Sequence, residues 1–365
     1  MILPAAAAGL LVSWLDIALD LFPVPLILLA NWADRPVPAT QGPSARALRQ
    51  IIWPLMAVLG VGSILFGVLI LATPQAKARP DAIAQIVAGI ACCLVVQRPV
   101  RAAIARLTPI SADSSLDALA ICLTVLIVGS QIGQQLSSNI LASVASSSAI
   151  GPADLIANEV PFLIGAFLGV GIFMRRRPLE TMRRLGLVRP SLWQVILGLA
   201  SAGVFLGFVT GVDVLAVHFT PHLNQEVNQA SGHLFSGLNS VSGILLIALS
   251  AGICEETLFR GALQPRVGIL WTAIVFASVH TQYGLSLDAL AVLVLAVGLG
   301  LLRKYCNTTT SMICHVAYNT LAGVALGGAA ILPMVVVEVL LFGLLGGFWL
   351  RHRQEDQEGV GPLPG

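Results

Sequence analysis

Three short segments in the last third of this 365-residue chain carry side chains that could perform acid–base chemistry. They are Glu255-Glu256-x-x-x-Arg260, Phe276-x-x-x-His280 and His315-x-x-x-Asn319. A spacing of four places each outer pair on one face of a helix. Glu256 and Arg260 stand in the acid-first i, i+4 order that favours an ion pair, while Glu255 points about 100° away and is left unpaired. A desolvated, unpaired carboxylate suits a general base acting on water, and imidazole and carboxamide groups can hold that water or donate hydrogen bonds to an oxyanion. The same residues permit a second chemistry, because Glu255, His280 and His315 are an acceptable three-ligand set for a catalytic zinc with water in the fourth position. Residue types alone leave both readings open.

The elements that must position these groups are membrane helices. Charged residues make up 10% of the chain and hydrophobic residues 56%, and mean hydropathy is +0.88. An ordinary soluble domain carries roughly 25% charge, so a soluble enzyme is excluded. The net charge of +2 is too small, and the Lys and Arg too dispersed, for a nucleic-acid partner. Apolar runs punctuated by Pro, Gly and charge predict spans near 9–31, 51–72, 82–96, 117–136, 155–174, 192–217, 242–264, 268–281, 285–302, 308–326 and 330–350. The expectation is an all-α, polytopic transmembrane helix bundle of about 10–11 spans. No Lys or Arg precedes the first run, as a secretory signal would require, so it reads as a mature helix. Alternating from the loop with Arg175, Arg176, Arg177, Arg183, Arg184 and Arg189 places 17 of the 20 Lys and Arg on one, cytoplasmic, face. Residues 218–240 contain no Lys or Arg and read as an outer loop broken by Pro221, Asn224, Asn228 and Gly232. The six cysteines form no C-x-x-C pair and read as small apolar packing residues.

An ionisable group inside a span costs about 2.5–3.5 kcal/mol even on the lenient scale, so it needs partners or a wet cavity. On that ground Asp16 and Asp20 read as a packing or solvated-groove pair. Gln131, Gln134, Gln135, Asp154 and Glu159 read as interfacial residues near span ends. Glu338 has no evident partner.

At the three motifs the chain resembles the CAAX-protease and bacteriocin-processing (CPBP or Abi) family of intramembrane endopeptidases, which includes the type II CAAX prenyl endopeptidases. Glu-Glu-x-x-x-Arg, Phe-x-x-x-His and His-x-x-x-Asn occur in that order on successive spans, and the resemblance covers roughly 190–350. It implies a catalytic set of Glu255, Glu256, His280, His315 and Asn319, supported by Arg260 and Phe276, with Glu256 and Arg260 orienting the groups that react. The implied division is 1–190 as an N-terminal membrane region of about five helices, 191–350 as the protease domain, and 351–365 as a disordered cytoplasmic tail. The implied activity is hydrolysis of a peptide bond in a membrane-associated protein or peptide. Water is activated by Glu255 with His280, and the oxyanion is held by His315 and Asn319. No cofactor is favoured, with zinc the alternative.

Other protease chemistries lack their motifs. There is no His-Glu-x-x-His, Ser236 and Ser242 lack a full Gly-x-Ser-Gly, and Asp213 has no second intramembrane Asp in a comparable setting. Two readings outside catalysis also fit buried Glu, His and Arg: a proton-coupled transporter and a non-catalytic membrane scaffold. The Arg-rich loops suggest a multi-pass protein of a bacterial cytoplasmic membrane.

Overall fold

A chain crossing hydrocarbon must bond each backbone N–H and C=O within its own segment, which makes helix the solution for apolar runs of this length. The computed structural model describes residues 23–35, 50–324 and 331–358, and these form an all-α bundle with no strand among the described residues. In chain order the helices are α1 (Pro23–Ala33), α2 (Ile52–Leu71), α3 (Arg79–Val95), α4 (Arg98–Ile104), α5 (Ser115–Ser137), α6 (Ile140–Ser146), α7 (Pro152–Gly169), α8 (Pro178–Leu185), α9 (Leu192–Phe219), α10 (Pro221–Leu234), α11 (Val241–Glu256), α12 (Gln264–Val267), α13 (Ile269–Val279), α14 (Leu287–Tyr305), α15 (Thr308–Gly323) and α16 (Ile331–Glu358). A π-helix over Thr257–Leu263 joins α11 to α12 without a break.

Five elements are long and apolar enough to cross a bilayer by length and composition: Ile52–Leu71, Ala76–Val95, Ser115–Ser137, Leu192–Phe219 and Val241–Val267. The other expected spans are also helical where described, but shorter or more polar; α13 has 11 residues. The chain is a multi-pass membrane protein, and α2 accordingly turns Val58, Leu65, Phe66 and Leu69 outward, a surface suited to lipid rather than water. The 9–31 span is described from Pro23 onward, and Asp16 and Asp20 lie outside the described residues.

Local sequence explains where the helices start. Ser114, Ser240, Ser286 and Asn307 each accept a hydrogen bond from a first-turn N–H of α5, α11, α14 and α15, satisfying donors that have no partner in their own helix. The α2–α3 pair closes through glycines. A Cβ on Gly89 would stand 2.4 Å from the Gly60 carbonyl oxygen, so only the bare backbone allows the helices this near. Around that pair Ile52, Met56, Cys92, Leu119 and Cys122 form one apolar cluster. All six cysteines are free thiols.

The N-terminal helices also reach the C-terminal ones. Val128 of α5 and Phe162 of α7 pack against Phe259, Ala273, Phe276 and Ala296. Ala166 and Val170 meet Leu185 and Ala262.

One expectation is corrected. Residues 221–234, read as irregular, form α10. Proline at the first helical position loses no needed N–H, and Asn224 Nδ2 donates to Asp213 Oδ1 at 2.9 Å. The buried face of α10 is only Asn224, Val227 and Ala230, too short a stripe to show as a pattern. The helix α16 runs to Glu358, before Gly359, and residues 359–365 lie outside those described.

Candidate active site

Glu255 and Glu256 are the last two residues of α11, and the π-helix that follows carries Arg260 in its middle. Such π segments inside α-helices occur frequently at functional sites. Glu256 and Arg260 are fully buried, with an ion-pair distance of 3.2 Å between Arg260 Nη1 and Glu256 Oε1. Two groups from α15 complete the surroundings of Glu256. His315 Nδ1 donates to Oε1 at 2.9 Å, and Ser311 Oγ donates to Oε2. Arg260 also donates through Nη2 to the Ala296 carbonyl at 3.3 Å, and its guanidinium lies 4.3 Å over the Phe276 ring. A buried carboxylate is tolerable with this much compensation.

Glu255 is treated differently by the fold. It is 8% exposed, yet its Oε2 is buried and has no hydrogen-bond partner among the described residues. That oxygen lies 3.9 Å from His315 Nε2, beyond hydrogen-bond range. His315 is therefore held by its Nδ1 on one carboxylate while its Nε2 faces the other. Its orientation is set by Glu256, in the way a buried carboxylate orients a catalytic imidazole.

His280 is not on the helix face that its spacing from Phe276 predicts. The helix α13 ends at Val279, and His280 follows as the first non-helical residue. Its Nδ1 donates to the Phe276 carbonyl at 2.7 Å, one of the carbonyls a helix end leaves without a partner. The ring packs on Phe276 with centroids 4.4 Å apart and lies parallel to Tyr283 at 6.4 Å. Phe276 also meets the His315 ring edge-on at 6.1 Å, so this phenyl ring links both histidines and the arginine. Asn319 is half-buried on α15, one turn beyond His315. The structure thus joins Glu256, Arg260 and His315 directly and sets Glu255 3.9 Å from His315. His280 and Asn319 stand beside them with no direct bond to either acid among the described residues.

Two residues at the site escaped the sequence reading. Ser311 precedes His315 by four, the same helical spacing that marks Asn319, and this could have exposed it. Glu159, read as interfacial, is 7% exposed in the middle of α7. Its Oε2 has no hydrogen-bond partner among the described residues, and it interacts electrostatically with Glu255 and Cys254. Burial of Glu159 follows from the packing of α7 on α11 and the π-helix, a long-range contact with no local signature. Gln131 and Gln135 of α5 also hold buried Oε1 atoms without partners among the described residues. Glu338 fits against α9, where a Cβ on Gly203 would stand 2.2 Å from its carboxylate.

With the geometry in view, the comparisons are specific. Residues 237–321 match the family model described as type II CAAX prenyl endopeptidase, Rce1-like. That match supports a CAAX protease family assignment for this stretch. That stretch contains Glu255, Glu256, Arg260, Phe276, His280, His315 and Asn319, and the CAAX protease assignment supports an intramembrane endopeptidase in general. No curated protein and no solved structure matches the chain. Among the described residues no group of three or more His, Cys, Asp or Glu is placed to hold a metal ion.

Proposed function

We propose that this protein is an endopeptidase that cuts a membrane-associated protein or peptide by glutamate-activated water. One observation carries the reading. Of two adjacent buried acids, Glu256 is saturated by Arg260, Ser311 and His315, whereas Glu255 keeps a buried oxygen without a hydrogen-bond partner, facing His315 across 3.9 Å. A carboxylate oxygen left without a hydrogen-bond donor is open to hold a water and act on it as a general base.

The proposed reaction balances within this set. Water held by Glu255 and His280 gives a proton to Glu255 as its oxygen adds to the scissile carbonyl carbon. The resulting oxyanion accepts hydrogen bonds from His315 Nε2–H and the Asn319 amide. Glu256 keeps the His315 imidazole oriented through the Nδ1 bond, and Arg260 balances Glu256. Glu255 then passes its proton to the leaving nitrogen as the C–N bond breaks, releasing an amine and a carboxyl terminus. The Arg-rich loops of one face are in keeping with a bacterial cytoplasmic membrane.

The test is Glu255→Gln in the full chain, assayed on a membrane-anchored CAAX-type reporter. Loss of a general base lowers turnover by about 100-fold or more, with the unfolding midpoint retained; a fully active variant refutes the reading. Wild-type activity that survives exhaustive chelation supports the metal-free chemistry. Activity lost on chelation and restored by zinc moves the assignment to the metallopeptidase form, with Glu255, His280 and His315 as ligands.

A further inference from the structure

At the end of the bundle that carries most of the basic residues, a cleft of about 500 Å³ opens where α1, α5, α8 and α12 converge with the loop after α7. Five arginines line it, Arg35, Arg175, Arg176, Arg184 and Arg266, against three aspartates. The aspartates are already engaged. Asp34 caps α5, accepting from Ser115 N at 2.8 Å, Leu116 N at 3.1 Å and Ser114 Oγ at 2.6 Å, and reaches Arg175 only at 3.9 Å. Asp113 is held at 2.8 Å by Arg98, which does not line the cleft. Asp117 is paired with Arg266.

Arg176 and Arg184 are left with carbonyl oxygens as their hydrogen-bond partners among the described residues, Val170 for the first and Gly261 at 3.3 Å for the second. Carbonyl dipoles satisfy the N–H groups but do not neutralise the charge. Burial, with the nearby cations Arg266, Arg176 and Arg303, pushes Arg184 down to about 10 even with the Asp117 carboxylate acting against them. Planar guanidinium forks arriving from separate elements suit a tetrahedral anion with several acceptor oxygens better than a two-oxygen carboxylate.

We propose that this cleft binds a phosphate-bearing anion, held chiefly by Arg176 and Arg184 with Arg175 beside them. The positive-inside rule puts the cleft at the cytoplasmic rim, so the phosphate comes either from an anionic lipid headgroup of that leaflet or from a soluble phosphate. Its place also ties it to the catalytic helix. Arg184 is bonded to the carbonyl of Gly261, the residue after Arg260, so occupancy stiffens the π-helix that carries Arg260. The proposal does not depend on the peptidase reading, and its readout is binding, not cleavage.

The experiment is thermal unfolding of the full chain in detergent with inorganic phosphate against chloride at matched ionic strength, and in phosphatidylcholine vesicles with and without phosphatidylglycerol. Phosphate is expected to raise the midpoint by about 3 °C or more beyond chloride, and Arg176→Gln with Arg184→Gln to abolish the rise, while Arg79→Gln, outside the cleft, keeps it. A rise with phosphatidylglycerol and not with inorganic phosphate supports the site and assigns the lipid headgroup as its source. If neither phosphate nor phosphatidylglycerol differs from its control, or the double variant responds as wild type does, the proposal is overturned. Should the double variant not fold, Arg184→Lys keeps the charge and loses the fork; it should weaken the response severalfold, and an unchanged response overturns the proposal equally.

Discussion

The contact between α11 and α15 sets the distance on which the whole site depends, and Gly252 tests it. This glycine is one turn before Glu256, and a Cβ there would stand 2.4 Å from Val316 Cγ2 and 3.2 Å from the Val316 backbone nitrogen. Carbon–carbon contact settles at roughly 3.5–4.0 Å, so Gly252→Ala overlaps its neighbour by more than about 1 Å. Valine on a helix has one strongly preferred rotamer, leaving retreat of the helix as the main relief. Val316 adjoins His315, and a retreat of about 1 Å along the contact stretches the Glu256–His315 hydrogen bond, now 2.9 Å, past the usual limit. Overpacking costs about 1–3 kcal/mol, partly offset by about 1 kcal/mol from the better helix propensity of alanine. Turnover suffers more, since a 1 Å misplacement at a reacting centre can cost about 100-fold. The assay pairs cleavage kinetics in detergent or vesicles with the unfolding midpoint, for Gly252→Ala and for Gly252→Ala with Val316→Ala. The second change removes the clashing methyl and should recover at least about tenfold of the lost rate. Wild-type turnover in Gly252→Ala, or a loss that Val316→Ala does not relieve, would refute the argument that this close approach positions His315.

Other outcomes follow from the same geometry. Arg260→Met strips the fully buried Glu256 of its cation and is expected to lower stability by about 3–5 kcal/mol, whereas Arg260→Met combined with Glu256→Met removes both charges and costs less than the single change; unfolding midpoints of the two variants decide this. At the surface, the hydrogen bond and charge of Arg98 hold the Asp113 carboxyl below its ordinary value. A carboxyl depressed on folding adds stability that is present above its unfolded pKa, about 3.9, and is lost as pH falls through the lower folded value. The midpoint of Asp113→Asn should therefore match wild type increasingly well as pH drops below about 4. The pair is fully exposed, so added salt should shrink the difference at neutral pH.

Much of the arrangement is legible in the residues. Glu256 and Arg260 are four apart, and the ion pair that this spacing implies is present at 3.2 Å. The spans expected from 117, 242, 285 and 308 begin within two residues of the helices that start at Ser115, Val241, Leu287 and Thr308. What could not be read is what comes from elsewhere in the chain. Glu159 looks like a span-end residue until α7 is seen against α11, and α10 looks like a loop because its buried face is only Asn224, Val227 and Ala230. The end of α13 at Val279, which frees His280 from the helix face, has no Pro or Gly to announce it until Gly284.

The division follows from the range of the forces. Hydropathy, helix periodicity and the placement of arginines act within a few residues or along the membrane normal, so the sequence by itself determined an all-α membrane bundle, its basic face and the triad of motifs. Which glutamate stays without a hydrogen-bond partner is a question of hydrogen-bond supply in a low-dielectric interior. Ser311 and His315, more than fifty residues from Glu256, supply two of its partners. Only the tertiary structure could decide that Glu256 takes them and Glu255 does not, because that depends on how closely α15 approaches α11 at Gly252.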